Sequence, residues 1–342
     1  MRDKFVCVRI TRMNGVDLNR FQFDYDVTWN SFFLDSDLNV YSRYGGRDGG
    51  DPEARLSTPS LLKTMQEVLD AHQTATTAHS TAKKKLIQPV KSQAFRPNDI
   101  PLLRKNHRGC VHCHQIKEYG LLQSYADGDF DRSLLFRWPL PENLGIEIDH
   151  QHGFKIKRVT SIAEKSGLEI GDVIRNVDGI PTRSEYDIRW ALDRSSGEQL
   201  EVTVERRGQS QQIRLAVGKN WKRTDLGWRK SIRSVPISFA MRGYPLVRSQ
   251  RTKMGLPRTG LAIKVVSVRG TGFSTNMGLQ KLDIIVGLAG DHPNRTLSEF
   301  KSDLLSRYQP GDEVTLTVVR EGKRVELKGR FPDWFSEQQT VP

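Results

Sequence analysis

An internal repeat in the second half of the chain is the feature that most constrains its fold. The stretch "SGLEIGDVIRNVDGI" recurs as "MGLQKLDIIVGLAGD", and "SGEQLEVTVERRG" recurs further on as "PGDEVTLTVVREG". Matched residues keep their order within each stretch, so that Gly167, Asp172, Arg206 and Gly208 correspond to Gly278, Asp283, Arg320 and Gly322. A repeat of this kind predicts that one domain type occurs twice.

Each copy has the pattern of a small β-rich domain. Strands lead into a tight glycine-containing turn, a helix follows, and two further strands close on a charged hairpin. Gly167 and Gly171 permit backbone conformations that a Cβ would penalise, and Asp172 can accept hydrogen bonds from the amides of its own loop. These residues are therefore predicted to be structural.

The repeat resembles the PDZ domain, in the bacterial form that is attached to HtrA-type proteases. The first copy is close to that pattern from "LGIEI" through "FKIKRVTSIAEKSGLEIGDVIRNVDGI" to "EQLEVTVERRG". The second copy is looser, because Leu282 replaces the glycine that precedes the aspartate. The resemblance implies a protein that binds protein C-termini or extended peptides.

In PDZ domains the peptide adds as a strand beside a helix, and its carboxylate is held by a turn of backbone amides. The carboxylate turn of the first copy would be Leu-Gly-Ile at 144–146, and that of the second copy Thr-Gly-Leu at 259–261. An alternative interpretation is that the apolar residues only fill the domain core. The resemblance implies ligand contacts at Leu144, Gly145, Ile146, Ile148 and Ile188, and at Thr259, Gly260 and Leu261.

A protease is an obvious alternative, since such PDZ modules often follow one. The 142 residues upstream of the first copy are too few for a two-barrel serine protease, and no GxSxG motif occurs. The sequence therefore predicts no serine protease and leaves other enzymatic activity open.

The N-terminal region reads as strand, hairpin and helix. "FVCVRI" is a short apolar strand, "TWNSFFLD" and "NVYSRYGG" form a hairpin, and a helix begins at Ser57 or Thr58. This order resembles the C-terminal half of a thioredoxin-like domain whose first half, with its CxxC motif, is missing. Cys7 is accordingly expected to be a core cysteine.

Two of the three cysteines lie in the stretch "RGCVHCHQIK". Cys110, Cys113 and His114 match the CxxCH pattern of covalent haem c attachment, with His114 as an iron ligand. The second iron ligand would be a histidine such as His107, His150 or His152. One alternative is a zinc site formed by His107, Cys110, Cys113 and either His112 or His114, and another is a thiol-disulfide pair or no ligand.

Charge and hydropathy limit the function classes. The net charge of +13 is spread over the chain beside acidic residues, so no nucleic-acid-binding face is expected. No apolar run is long enough to span a membrane. No secretory signal is visible, whereas haem c attachment implies a periplasmic or extracytoplasmic protein, so the true start is expected to lie upstream.

The chain as a whole resembles bacterial thioredoxin-like/PDZ proteins, some of which carry selenocysteine. The predicted fold class is α+β multidomain: a partial thioredoxin-like α/β segment followed by two PDZ-type β-barrels. Three functions follow: a peptide-binding protein with a possible redox role, a haem c electron-transfer protein, or a thiol-disulfide redox protein. The predicted divisions are 1–70 thioredoxin-like, 71–100 linker, 101–140 CxxCH segment, 141–218 first PDZ domain, 219–258 connecting segment and 259–332 second PDZ-like domain.

Overall fold

The structure is a computed structural model in which the chain divides into two compact units. The first unit contains residues 1–124 and 130–224, and the second contains residues 125–129 and 225–342. The structure describes residues 1–77, 85–107, 109–151, 154–224, 226–233, 241–268, 270, 272–292, 294–308 and 311–332. His152, one of the predicted iron ligands, lies outside these described residues.

Strands and helices of the first unit follow the order expected of a hairpin, a helical region and one copy of the repeat. The strands are β1 (Asn30–Leu34), β2 (Val40–Gly45), β3 (Ile146–Ile148), β4 (Ile156–Val159), β5 (Val173–Val177), β6 (Ile180–Pro181), β7 (Gln199–Arg206) and β8 (Gln209–Ala216). The helices are α1 (Thr58–Thr77), α2 (Pro101–Asn106), α3 (Cys113–Ala126), α4 (Ser161–Lys165) and α5 (Glu185–Arg194), and the last two residues of α3 are assigned to the second unit.

The predicted hairpin and the helix after it are both present. β1 pairs with β2 in antiparallel register, and the side chain of Asp35 accepts hydrogen bonds from the amides of Asp37 and Asn39 at the turn. Small residues dominate the buried face of α1, where Thr64 Oγ1 donates to the carbonyl of Arg183. Leu62 of this helix is exposed.

The prediction of a strand at residues 5–10 is wrong. Residues 5–10 form no strand, and Val6 and Val8 are 94% and 82% exposed. Cys7 is also exposed, so its prediction as a core cysteine is wrong. The sheet in this region has only β1 and β2 among the described residues, so residues 5–10 have no neighbouring strand to pair with. The central strand on which the thioredoxin-like resemblance depended is therefore not formed.

The predicted linker is partly ordered structure. Its first residues continue α1 as far as Thr77, and Gln88 is buried. Gln88 Nε2 donates to the carboxylate of Asp187 at 2.7 Å, and the Gln88 amide donates to the carbonyl of Val40. The polar composition of this stretch predicted a linker. The contacts of Gln88 could not be predicted from that composition, because their partners are distant in sequence.

The first copy of the repeat has a shared hydrophobic core beneath two small sheets. β3 pairs with β4, while the second sheet has the order β6-β5-β7-β8. Aliphatic and aromatic side chains from all of these strands and from α5 meet in one buried cluster. Phe23 of the N-terminal region belongs to the same cluster, so the N-terminal region and the repeat share a core.

The matched charged residues of the repeat form the same clamp in both copies. Arg206 makes a bidentate ion pair with Asp172 and donates to the carbonyl of Gly167, at 2.7–2.8 Å. Arg320, Asp283 and Gly278 make the same contacts at 2.8 Å. Each aspartate also accepts a hydrogen bond from an amide of its own loop, so the predicted structural role of Asp172 is confirmed.

The strands of the second copy follow the chain order seen in the first copy, but they form a single sheet. The helices are α6 (Lys230–Arg233), α7 (Arg248–Lys253), α8 (Phe273–Asn276) and α9 (Leu297–Arg307). The strands are β9 (Met241–Pro245), β10 (Ile263–Val268), β11 (Ile284–Leu288), β12 (Glu313–Arg320) and β13 (Lys323–Arg330), in the sheet order β13-β12-β11-β10-β9. Leu282 takes the left-handed conformation that Gly171 takes in the first copy.

The second copy begins earlier than residue 259. β9 pairs antiparallel with β10, as β3 pairs with β4 in the first copy. β9 therefore holds the place of β3, although its residues fall within the predicted connecting segment.

Helix α5 is buried on every side, including its charged face. Asp187 is fully buried and accepts hydrogen bonds from Ser42 Oγ at 2.5 Å and from the Arg43 amide at 2.9 Å. Arg43 stacks its guanidinium over the ring of Trp190 at 3.6 Å, and burial lowers the pKa of Arg43 to about 9. The hairpin thus covers a helix face that would be solvated in an isolated copy.

Among the helices in the described ranges, none has the combination of length and apolar character that crossing a membrane requires.

Replacement of Asp187 by alanine should strongly destabilise the first unit. The substitution leaves buried donors from Ser42, Arg43 and Gln88 without their acceptor, and loss of one member of a buried charged network costs about 3–5 kcal/mol. Chemical denaturation measures the change. The control is Glu169→Ala, since Glu169 is an exposed partner of Arg206 and should cost less than about 1 kcal/mol. Equal losses for the two variants would contradict the assignment.

Candidate functional site

A tight turn enters strand β3 at the place where the sequence predicted a carboxylate-binding loop. The 3-10 turn Pro141–Leu144 ends at Gly145, which has a left-handed backbone with φ of 81°. The Gly145 amide donates to the carbonyl of Glu142, and the Gly145 carbonyl accepts from the amide of Thr160. The turn is therefore fixed by backbone bonds at both sides of its glycine.

The apolar residues predicted to contact a peptide in the first copy are buried. Leu144, Ile146, Ile148 and Ile188 are each at most 2% exposed and belong to the shared core cluster. The structure thus brings them together between β3 and α5, the two walls of the predicted groove. Their role as ligand contacts stays a prediction, because other parts of the chain cover them in this structure.

The helix wall is covered by the N-terminal region and by the residues before the turn. Trp138 stacks on Tyr186 with 5.0 Å between ring centroids, and the Tyr186 hydroxyl accepts from the amide of Asp24 at 2.7 Å. Arg189, which is fully buried, pairs with Asp24 and donates to the carbonyl of Arg47. None of these tertiary contacts follows from sequence periodicity.

A charged cluster connects the two walls at one end of the groove. Arg55 donates to Glu142 beside the turn at 2.8 Å and to Glu185 at the start of α5, and it also pairs with Asp48. His150, just after β3, hydrogen-bonds Glu185 at 2.8 Å. The single guanidinium of Arg55 thus joins the strand side of the groove to the helix side.

The electrostatics of this cluster favour the ionised forms. Burial alone would raise the pKa of Glu185, but the charge of Arg55 and the hydrogen bond from His150 outweigh it, and the pKa falls to about 2. The hydrogen bond to Glu185 raises the pKa of His150 above its ordinary value. Glu185 is therefore ionised at neutral pH, and its carboxylate favours the charged form of His150.

A second connection joins the same turn to the C-terminal end of α5. Asn143 Nδ2 donates to the carbonyls of Trp221 and Arg223, at 2.9 and 3.2 Å. Lys222 Nζ donates to the carbonyls of Asp193 and Ser195 at the C-terminal end of α5, at 2.7 and 2.6 Å. Residues 221–223 therefore contact both the turn and the helix.

The predicted turn of the second copy is not equivalent to that of the first. Thr259, Gly260 and Leu261 directly precede β10, the counterpart of β4, and the Leu261 amide donates to the carbonyl of His292. The turn equivalent to 144–146 would precede β9, and residues 234–240 lie outside the described residues. Residues 259–261 resemble residues 144–146 only in their short glycine-containing sequence. The strand that precedes β10, which is β9, was not recognised in the sequence.

Strand β9 is the element that sequence reasoning missed. Its sequence "MRGYP" contains Gly243 and Pro245, which favour a turn over a strand. Arg242, Tyr244 and Pro245 are exposed, and within the described ranges no strand pairs with the outer edge of β9. Helix α9 lies beside this strand. The signal that could have located β9 is the need of β10 for a partner in the place of β3.

The CxxCH segment forms the start of helix α3. Cys113 is the first residue of α3 and packs against the core cluster of the first copy, while Cys110 is exposed. Burial raises the pKa of the Cys113 thiol. Val111, between the two cysteines, is buried in a separate small core with Leu103 and Ile116.

The histidines of this segment have short-range contacts. The ring of His107 hydrogen-bonds the carbonyl of Cys110 at 2.9 Å, and the rings of His112 and His114 lie parallel with 6.0 Å between centroids. His114 Nδ1 is 4.0 Å from Glu118. No group of three or more metal-ligating side chains is found among the described residues. The haem, zinc and thiol-pair interpretations of Cys110, Cys113 and His114 stay predictions.

Comparison with known proteins identifies part of the first copy. Residues 156–206 match the family model described as PDZ domain. A probable periplasmic serine endoprotease DegP-like of Halomonas elongata is 26% identical over 162 residues, which is 47% of this chain and 33% of that protein. The chain therefore carries a PDZ domain and is similar over part of its length to an HtrA/DegP-like protein, of which it spans about a third.

Two solved structures of an HtrA-type protease also show similarity. The HtrA-type protease AlgW with tripeptide has a TM-score of 0.26 at 16% identity, covering 53% of this chain and 59% of that chain. The HtrA-type protease AlgW with decapeptide has a TM-score of 0.25 at 18% identity, covering 52% and 54%.

Replacement of Gly145 by alanine should be much more damaging than the same change at Gly167. Both glycines have left-handed backbones, with φ of 81° and 87°, so both substitutions carry a similar conformational cost of about 1–2 kcal/mol. A Cβ at Gly145 would also lie 2.0 Å from the carbonyl oxygen of Thr160, whereas a Cβ at Gly167 meets nothing within 4 Å. We expect Gly145→Ala to lose at least about 2 kcal/mol more in chemical denaturation. Equal losses would show that the turn is not packed against Thr160.

The pair of His150 with Glu185 should make stability depend on pH. Because the folded-state pKa of His150 is raised, its contribution is fully present below the ordinary pKa of about 6.5 and is lost as pH rises through the folded-state pKa. The stability difference between the natural chain and His150→Gln should therefore be larger at about pH 5.5 than at about pH 9. Denaturation at the two pH values measures it, and a difference independent of pH would refute the pairing.

Proposed function

We propose that this protein binds C-terminal or extended segments of other proteins by strand addition to its PDZ-type copies. The match of residues 156–206 to the PDZ family is the observation that carries the proposal. In such binding the peptide backbone pairs with an edge strand, and side chains of the peptide enter the groove beside the helix.

The second copy has the more accessible of the two candidate grooves. Its edge strand β9 has exposed residues at Arg242, Tyr244 and Pro245, whereas β3 of the first copy has two of its three residues buried. Lys301 is the fifth residue of α9, as Arg189 is of α5, and both helices start at a side-chain cap, Thr296 and Ser184. By this correspondence we expect the half-buried Lys301 to lie on the face of α9 that is turned towards β9.

The proposal also concerns the compartment. The Halomonas elongata relative is named as periplasmic. We extend that location to this chain, whose role would be to capture protein segments outside the cytoplasm. The residues predicted at 144–146, 148 and 188 would serve as a second binding groove when they are uncovered, and those at 259–261 would support β10 beside the groove of the second copy.

A reversal of charge at Lys301 should weaken peptide binding. A library of random decapeptides with free C-termini is selected on the full chain, and the most enriched peptide is synthesised as a free acid and as an amide. We expect Lys301→Glu to reduce the affinity for the free acid about tenfold or more, measured by fluorescence anisotropy.

The matched control is Lys323→Glu, which makes the same charge change at an exposed residue of β13, on the opposite edge of the sheet. This variant should bind as the natural chain does. Failure to select any peptide, or equal effects of the two substitutions, would count against binding at β9 and α9.

A further inference from the structure

The groove of the first copy is crossed by a segment of the same chain. We call residues 46–57 the cover segment; it runs from the end of β2 to the start of α1 without helix or strand. Its contacts with the helix wall are the carbonyl of Arg47 to Arg189 and the guanidinium of Arg55 to Glu185. Its contacts with the strand wall are Arg55 to Glu142 and Ser57 Oγ to the carbonyl of His150.

The cover segment closes the groove through side chains and leaves the strand edge open. Arg55 is 7% exposed although its loop neighbours Asp51, Glu53 and Ala54 are exposed. In the described residues β3 pairs only with β4, so no part of the cover segment forms a ladder with the outer edge of β3. An arriving peptide could therefore make backbone hydrogen bonds that the cover segment does not make.

One residue of the cover segment, Arg55, contacts both walls. Arg55 forms an ion pair with Asp48 inside the segment. It also pairs with Glu142 on the strand wall and with Glu185 on the helix wall. Because a planar guanidinium holds several carboxylates at fixed angles, a lysine at this position could not reproduce the bridge. Within the cover segment, Arg55 is thus a side chain that is ion-paired with both walls of the groove.

We propose that the cover segment is a built-in competitor that keeps the PDZ groove of the first copy closed to external peptides, with Arg55 as its latch. This inference rests on the proposed peptide binding and adds its regulation: the second copy binds in the resting state, and the first copy binds only after the cover segment is displaced. A partner that withdraws Arg55 from Glu142 and Glu185 would open a second site on the same chain.

Hydrogen exchange read by mass spectrometry tests both grooves in one experiment. The probe is a pool of randomised decapeptides with free C-terminal carboxylates, added to the full chain. In the natural chain the pool should slow exchange at residues 241–245 and not at 144–149. In Arg55→Ala it should slow exchange at 144–149 by at least tenfold as well, and Arg55→Lys should behave as Arg55→Ala does.

Two further variants guard against a folding defect and a general loss of charge. Glu142→Gln removes only the partly exposed, strand-side partner of Arg55, and it should open the groove while strands β7 and β8 keep their protection. Arg175→Ala is the control, because Arg175 also bridges two carboxylates, Glu67 and Glu205, and neither carboxylate belongs to β3, α5 or the cover segment. It should behave as the natural chain does.

The possible results separate the two proposals. Slowed exchange at 144–149 in the natural chain would overturn the closed groove. The absence of slowing at 144–149 in both Arg55→Ala and Glu142→Gln, with slowing retained at 241–245, would overturn the competitor while leaving peptide binding in place. No slowing at either stretch in any variant would overturn both.

Discussion

The buried carboxylate of Asp187 is the interaction on which the first unit depends. A charge with no exposure is tolerated only because hydrogen-bond donors surround it, and these come from the hairpin, from Gln88 and from the amide of Arg183. The donors Arg43 and Gln88 both lie more than 90 residues before Asp187 in the chain. The N-terminal region and the first copy of the repeat are therefore halves of one folded unit and share one core.

This docking makes the two copies of one domain type differ in what they can present. In the first copy, hairpin and cover segment bury α5 and the β3 wall, so that Glu185 and Arg189 make internal ion pairs. In the second copy, β9 is an exposed edge strand beside α9. The same clamp of arginine and aspartate stabilises both copies, and the difference arises from what covers them.

Sequence patterns predicted the local structure of the repeat better than its surroundings. The Gly and Asp positions of the turns, the hairpin at 30–45 and helix α1 follow from local chemistry, and they were found. Residues 5–10 look like a strand by composition, yet a strand needs a neighbour. Strand β9 was missed because of Gly243 and Pro245. The burial of the charged residues of α5 could not be predicted, since burial by a distant hairpin has no periodic signal.

Native-state hydrogen exchange of the unmodified chain tests most directly whether the hairpin and the first copy form one unit with a covered helix. If they do, the amides of β2 and of α5 should exchange with the same free energy of opening, because neither element can open while the other stays folded. The contradictory result is an α5 whose amides remain protected at a denaturant concentration where those of β2 already exchange freely.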